Sequence, residues 1–370
     1  MSILIFIVVL VVLIVVHEFG HFVVAKLARM RVDEFGLGYP PRAAVIGKVG
    51  ETLLTLNWLP FGGFVKIFGE DGLQEQEAGA GGRNSHSFTT RPRILQALVL
   101  VAGIAMNLIF AYVLITGALI AGTPRALSDS EVATATQVEL AVANVLPNSP
   151  AAEAGILPGD SILSAEDAAG GWHATDPSSF SAFVAASHGD TISLDIKRDG
   201  HSVSITAMPK AGIAKSDPSR YALGVEVATI GIVPISFGSA LIEGASLTWG
   251  TITFVAEGLM HFFYGIFTFS ADLSQVSGPV GIAGVVGGAS ASGFGNLLSI
   301  MAIISINLAL INLLPIPALD GGRLLFVIIE SIIRRPIKPI VARTINSIGF
   351  AFLILLMVVV TAHDLFKIFS

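Results

Sequence analysis

The chain has 370 residues, 53% of them hydrophobic and 13% charged, with a formal net charge of −6 at pH 7 and a mean hydropathy of +0.78. Soluble domains carry roughly 25% charged residues, so the composition excludes an ordinary soluble globule and indicates an integral membrane protein, while the mild negative charge gives no basis for nucleic-acid binding. There is no cysteine, so disulfides and thiolate chemistry are excluded and any metal must be held by His, Asp or Glu.

The first apolar run, Ile3 to about Ala25, predicts a transmembrane helix over 1–28. It lacks the basic leader and small-residue cleavage site of a signal peptide and is expected to be retained. A cytoplasm-side loop over 29–93 follows, in which "ETLLTLNWLPFGGFVKIFGE" predicts strands around Phe61-Gly62-Gly63. Residues 94–121 form the second apolar run, predicted to span.

From about 125 to 212 the chain becomes richer in Ser, Asp and turn residues. "TISLDIKRDGHSVSITAMP" predicts a hairpin, with Ile192, Leu194 and Ile196 alternating, a turn at Asp199-Gly200, and Val203 and Ile205 alternating back. The preceding "VANVLPNSPAAEAGILPGDSIL" predicts a strand, a short Ala-rich helix closed by Gly155 and another strand, followed by a turn at Glu166-Asp167. This segment resembles a PDZ domain of the bacterial type, a fold that takes up an extended peptide end by strand addition.

Residues 235–271 are apolar, but Glu257 and His261 fall near the centre of the run, so a surface-lying or partly embedded helix is expected there. The third span covers 297–322 and the fourth 347–368. Loop charges orient them. Nine Lys/Arg lie between the first two runs and five between Leu314 and Ser347, against six in the long 122–296 stretch. The positive-inside rule places the two basic connections in the cytoplasm and the long stretch outside, which four spans satisfy and a fifth would not.

Chemistry enters with "VVLIVVHEFGHFVV", residues 11–24. His17-Glu18-Phe19-Gly20-His21 is an H-E-x-x-H motif, and two histidines four apart on a helix can grip one Zn²⁺ at ~2.0–2.1 Å. Glu18 stands beside them, where it could take a proton from a metal-activated water. Ionisable groups inside an apolar span usually mark function. Counted from Ile3, His17 lies roughly 21 Å along the helix, about two-thirds of the way across. A catalytic zinc needs a third protein ligand. The candidate is Asp320 in "SINLALINLLPIPALDGGRLLF", where Pro315 and Pro317 break the helix at a similar depth. Asn307 and Asn312, five apart on the preceding helix, could bind a peptide group that has lost its helical partner, or simply join helices.

H-E-x-x-H in the first span together with N-x-x-P-x-P-x-L-D-G closing the third resembles the site-2 protease family of intramembrane zinc metalloproteases. The interposed single PDZ domain is similar to the bacterial regulator-of-sigma-E protease branch. The resemblance implies His17, His21 and Asp320 as zinc ligands, Glu18 as the catalytic base, and Asn307 and Asn312 as holding the substrate backbone. It also implies a membrane-associated β-region in which the strand at Gly62 and Gly63 pairs with unwound substrate. "SGPVGIAG" (Ser277–Gly284) matches a family phrase without a sharp chemical role.

The resulting expectation is a polytopic α-helical membrane protein with four transmembrane helices, a cytoplasm-side membrane-associated β-region and one extracytoplasmic PDZ domain of α+β type. By the same resemblance it sits in the bacterial inner membrane with the PDZ domain periplasmic, and cuts single-span membrane proteins such as anti-sigma factors or remnant signal peptides. Its expected partners are those substrates, membrane lipid and a peptide C-terminus in the PDZ groove. Two alternatives stay open: a membrane metallopeptidase with a cytosol-facing site, distinguished by zinc depth, and a non-catalytic PDZ scaffold, distinguished by zinc content.

Overall fold

The computed structural model describes residues 2–70, 86–173, 175–198, 200–214, 217–268 and 278–369. They form two compact units, one of Met1–Ala118 with Ala240–Ser370 and the other of Leu119–Ser239.

Among the described residues, four helices are long and apolar enough to cross a membrane: Ile3–Leu27, Arg93–Ile120, Phe294–Leu313 and Ile340–Phe366. They belong to α1 (Ser2–Leu27), α2 (Arg93–Ile120), α7 (Phe294–Leu313) and α9 (Pro339–Phe369). The third span, expected over 297–322 with a break at Pro315 and Pro317, runs through two helices. α7 stops at Leu313, residues 314–319 are irregular, and α8 (Asp320–Ile333) begins at the aspartate, because Pro315 and Pro317 cannot continue the helix. α9 starts at Pro339, eight residues before the boundary expected at 347, because Arg343, Thr344 and Asn346 interrupt the apolar pattern of its first turns.

Between α1 and α2, β1 (Val32–Val49) and β2 (Thr52–Ile67) pair antiparallel. The pairing is folded back on itself: Phe35 meets both Val65 and Leu54, so the first half of β1 lies between the two halves of β2. The run expected as strands around Phe61-Gly62-Gly63 is therefore one long β2. Phe22 of α1 packs edge-on against Phe35, with ring centroids 5.7 Å apart.

α5 (Phe237–Phe267) occupies the stretch expected as a surface-lying or partly embedded helix. One face packs on α2 and α7: Val255 is buried with Ala111, Leu114, Ala302 and Ile306. Trp249 and Phe254 stay 67% and 76% exposed on the other face, together with Glu257 and His261. The polar pair thus belongs to the unpacked side of a half-packed helix. α6 (Pro279–Ala291) follows. Its Ile282 and Val286 cluster with Val9 and Leu13 of α1 and with Leu297 and Ile304 of α7. Asp364 of α9 accepts hydrogen bonds from the Gly278 and Gly281 N–H groups at 3.2 and 2.8 Å. The "SGPVGIAG" phrase is thereby a helix start held by an acid 83 residues away; its Ser277 lies outside the described residues.

The second unit is a seven-stranded sheet in the order β3 (Arg125–Ala126), β9 (Val225–Ile232), β4 (Thr136–Val145), β5 (Ser161–Asp167), β7 (Ile192–Arg198), β8 (His201–Ala207), with β6 (Gly170–Trp172) pairing β5. The boundary expected at 212 falls short, because β9 inserts between β3 and β4. Short helices α3 (Pro150–Glu153) and α4 (Pro177–Ala186) complete it. Ile192, Leu194 and Ile196 are fully buried, while Val203 across the hairpin is 36% exposed. Of the expected turn, Asp199 lies outside the described residues. The turn expected at Glu166-Asp167 comes slightly later: Glu166 pairs within the sheet, and Asp167 Oδ1 accepts from the Ala169 and Gly170 N–H groups. In "GILPGD", Asp160 is 1% exposed. Burial alone would raise its pKa, but the Arg198 guanidinium at 2.7 Å and the Leu157 N–H at 2.8 Å outweigh it and hold the carboxyl below its usual range.

Candidate metal centre

α1 carries the site on an otherwise apolar helix. His17 and His21 are 9% and 7% exposed, and their rings lie edge to face, 4.8 Å between centroids. Asp320, first residue of α8, reaches them from the far end of the chain. Its Oδ2 is 3.0 Å from His17 Nε2 and 3.3 Å from His21 Nε2, and the two Nε2 atoms are 3.2 Å apart. Ligands at ~2.0–2.1 Å around a tetrahedral ion stand roughly 3.3 Å from one another, so this triangle has the size of one tetrahedral face. Two imidazoles and a carboxylate with no thiolate is also the donor chemistry of a catalytic zinc. The residues fit the ion.

These three residues stand out in the sequence, and the fold brings them together. Glu18, beside His17 on α1, is not part of the triangle. A Cβ added to Gly63 of β2 would sit 3.5 Å from Glu18 Cγ and 3.4 Å from Ile14, so this strand lies in van der Waals reach of the Glu18 turn of α1, and 3.1 Å from the Gly36 carbonyl of β1, where it would be tight. Gly62, at φ 109°, adopts a backbone that L side chains rarely take. Asn307 and Asn312 share α7, but Asn307 Nδ2 donates to the Ile303 carbonyl of its own helix at 3.0 Å.

The irregular 314–319 segment aims Asp320. Ala318 sits at φ 76°, and its N–H donates to Asn346 Oδ1 of α9 at 3.3 Å. Such strain persists only where neighbours fix it. Ala318 and Asn346 also line a cavity of about 610 Å³. Its polar wall includes Arg93 paired with Glu330 at 2.6 Å, and Arg323 paired with Glu70. Irregular backbone within a membrane protein needs such a protein-lined polar space.

Sequence reasoning missed the contribution of α2. His21 Nδ1 lies 2.8 Å from the Val99 carbonyl, and Asn107 Nδ2 lies 3.3 Å from His17 Nδ1. Between them, a Cβ on Gly103 would overlap both imidazoles. The one local signal was Asn107 as a polar side chain deep in an apolar helix, which does not by itself say which ring it meets.

The sequence pattern of Peptidase family M50 matches residues 5–356. A Clostridium perfringens protein provisionally named a zinc metalloprotease is 35% identical over 354 residues, covering 95% of both chains. A Clostridium acetobutylicum protein with the same provisional name is 33% identical over 355 residues, covering 95% of this chain and 94% of its own. Zinc metalloprotease RasP of Oceanobacillus iheyensis is 28% identical over 440 residues and covers 97% of both. Among solved structures, the PDZ domain of an SdrC-like protein from Listeria monocytogenes matches 24% of this chain and 86% of its own, at 20% identity and TM-score 0.21, an overlap too slight to assign a fold.

Proposed function

Because the chain belongs to Peptidase family M50, the site-2 protease family of zinc metalloproteases, we propose that it is an intramembrane endopeptidase that cuts single-span membrane proteins near or within their transmembrane segment. The observation that carries this reading is the His17–His21–Asp320 triangle, two of whose corners lie on α1, the most apolar of the four helices long enough to cross a membrane. His17, His21 and Asp320 are the ligands, and zinc bound there supplies a Lewis acid that polarises the scissile carbonyl and acidifies water. Glu18, outside the triangle and next to it, is the base that takes the proton from water and delivers it to the leaving amine. The β2 strand at Gly62 and Gly63 holds the unwound substrate extended beside Glu18, which a helical segment requires because its carbonyls are occupied. Asn312 serves the exposed peptide groups, with Asn307 doing so after releasing the Ile303 carbonyl.

The second unit is read as a PDZ domain facing outside, with both basic connections in the cytoplasm of a bacterial inner membrane. Its support is a groove of about 190 Å³ between α4 and β9, lined by Phe180, Val184, Leu223, Val225 and Val227. Its substrates are anti-sigma-factor-like proteins or remnant signal peptides, with the PDZ groove taking a peptide C-terminus. The deciding experiment co-expresses tagged single-span proteins with the wild type or Glu18→Gln, and the reading requires cleavage only with the wild type. Tags near Pro336 and Gly170 test orientation: Pro336 should be cytoplasmic and Gly170 outside. The companion site near Gly81 lies outside the described residues.

A further inference from the structure

α2 contributes no ligand to the triangle, yet Val99, Gly103 and Asn107, spaced four apart, present one face to both histidines. The two distal ring nitrogens are treated differently. The Val99 carbonyl can only accept, so His21 Nδ1 carries a proton, and in the neutral imidazole Nε2 then holds the lone pair a ligand needs. Asn107 is a group that can either donate or accept. It is fully buried, its Nδ2 approaches His17 Nδ1 at 3.3 Å, and its Oδ1 has no hydrogen-bond partner among the described residues. Its backbone is fixed too: the Asn107 carbonyl accepts from the buried Ser305 Oγ of α7 at 2.8 Å.

The two ends of the amide serve two states of His17. With Nδ2 donating to Nδ1, the proton sits on Nε2 and points at Asp320 Oδ2, 3.0 Å away, which satisfies all three groups without a metal. A ligand Nε2 must instead be unprotonated, which moves the proton to Nδ1 and calls for an acceptor there. Rotating the amide by half a turn offers the unpartnered Oδ1 in place of Nδ2.

We propose that Asn107 is a positioning residue for the metal site: its carboxamide sets the tautomer of His17, accepting from Nδ1–H when Nε2 is a ligand and donating to Nδ1 when Nε2 pairs with Asp320. This inference rests on the zinc reading above. It predicts that zinc affinity follows the acceptor strength at position 107. A carboxylate can only accept and also raises the basicity of the ligand, whereas an isosteric hydrocarbon does neither, and such partners change metal affinity about 10–100-fold.

The test measures zinc affinity of the full chain in detergent by chelator competition, with the visible spectrum of the cobalt-substituted protein as a second readout, for wild type, Asn107→Leu, Asn107→Asp and His17→Ala. Asn107→Leu is expected to weaken zinc at least tenfold and to change the cobalt spectrum. Asn107→Asp is expected to bind zinc as tightly as the wild type or more tightly. Leu and Asp variants of equal affinity would overturn the proposal, as would a Leu variant within twofold of wild type, and a Leu variant that fails to fold leaves the Asp variant to decide it: zinc affinity at least tenfold below wild type would overturn it. His17→Ala separates the two readings: full zinc retention there would overturn the zinc assignment itself, whereas zinc loss there with no effect at 107 overturns only the role of Asn107.

Discussion

His17 Nε2 and Asp320 Oδ2 are 3.0 Å apart although 303 residues separate them. The contact closes the site across nearly the whole chain, so the site depends on α1 and the start of α8 being held in register by everything between. α2, docked against both histidines, and the 314–319 segment, held by Asn346, supply that register.

The first prediction separates ligands from base. His17→Ala, His21→Ala and Asp320→Ala each remove one corner of the triangle and should lose both zinc and proteolysis. Glu18→Gln leaves the triangle intact and should keep zinc while lowering turnover by about 10²–10⁴-fold, the usual contribution of a positioned general base. Zinc content per purified chain and cleavage of a single-span substrate check this. Full zinc occupancy in Asp320→Ala would remove it from the ligand set.

A second prediction follows from the close approach of α2. A Cβ at Gly103 overlaps both imidazole rings, and one at Gly20 meets the Ala102 carbonyl and Met106. Gly103→Ala should therefore push α2 from α1, at about 1–3 kcal/mol as for other overpacked interiors, and should reduce zinc occupancy. Thermal unfolding in detergent with metal analysis measures both. An unchanged midpoint with full zinc would contradict the packing.

How much of this was legible beforehand depended on whether the signal was local. H-E-x-x-H and L-D-G are short patterns whose meaning survives without the fold, so His17, Glu18, His21 and Asp320 could be singled out. The hairpin of β7 and β8 was legible because Ile192, Leu194 and Ile196 alternate. Asn107 was not, since an asparagine in an apolar helix says nothing about which ring it meets. β9 was missed because its partners, β3 and β4, pair with it across 80 or more residues of chain. Nothing local in Val225–Ile232 distinguishes an inserted central strand from a separate one. The half-packed state of α5 was hidden for a similar reason: Val255 clusters with residues of α2 and α7 that are distant in the chain.

The third prediction concerns Asp364, 7% exposed at the end of α9. It pairs with two N–H groups at the start of α6, and α6 packs on Leu13, one turn before His17. Asp364→Ala leaves both donors unpaired and removes a negative charge from a helix N-terminus, together worth about 2 kcal/mol. Asp364→Asn keeps one acceptor and should lose less. Unfolding midpoints of the two variants in detergent test the ordering, and equal losses would show that the carboxylate does not hold α6.

The last prediction uses pH on the second unit. The folded pKa of Asp160 is below its unfolded value of about 3.9, because Arg198 and the Leu157 N–H outweigh burial. A depressed carboxylate stabilises the folded state above the unfolded pKa, and that contribution is lost as pH falls through the folded pKa. The unit should therefore hold its stability from neutral pH down to about pH 4 and lose it below. Arg198→Leu reverses the sign: the carboxyl stays buried without its cation, burial then dominates, and the folded pKa moves up. That variant should be less stable by about 3 kcal/mol at pH 7, as when one partner of a buried pair is removed, and should recover stability on acidification. Denaturant midpoints followed by Trp172 fluorescence, with Trp58→Phe and Trp249→Phe removing the other two tryptophans, measure both slopes. Parallel pH profiles for the two proteins would exclude the Asp160–Arg198 pair as the lock that closes "GILPGD" onto β7.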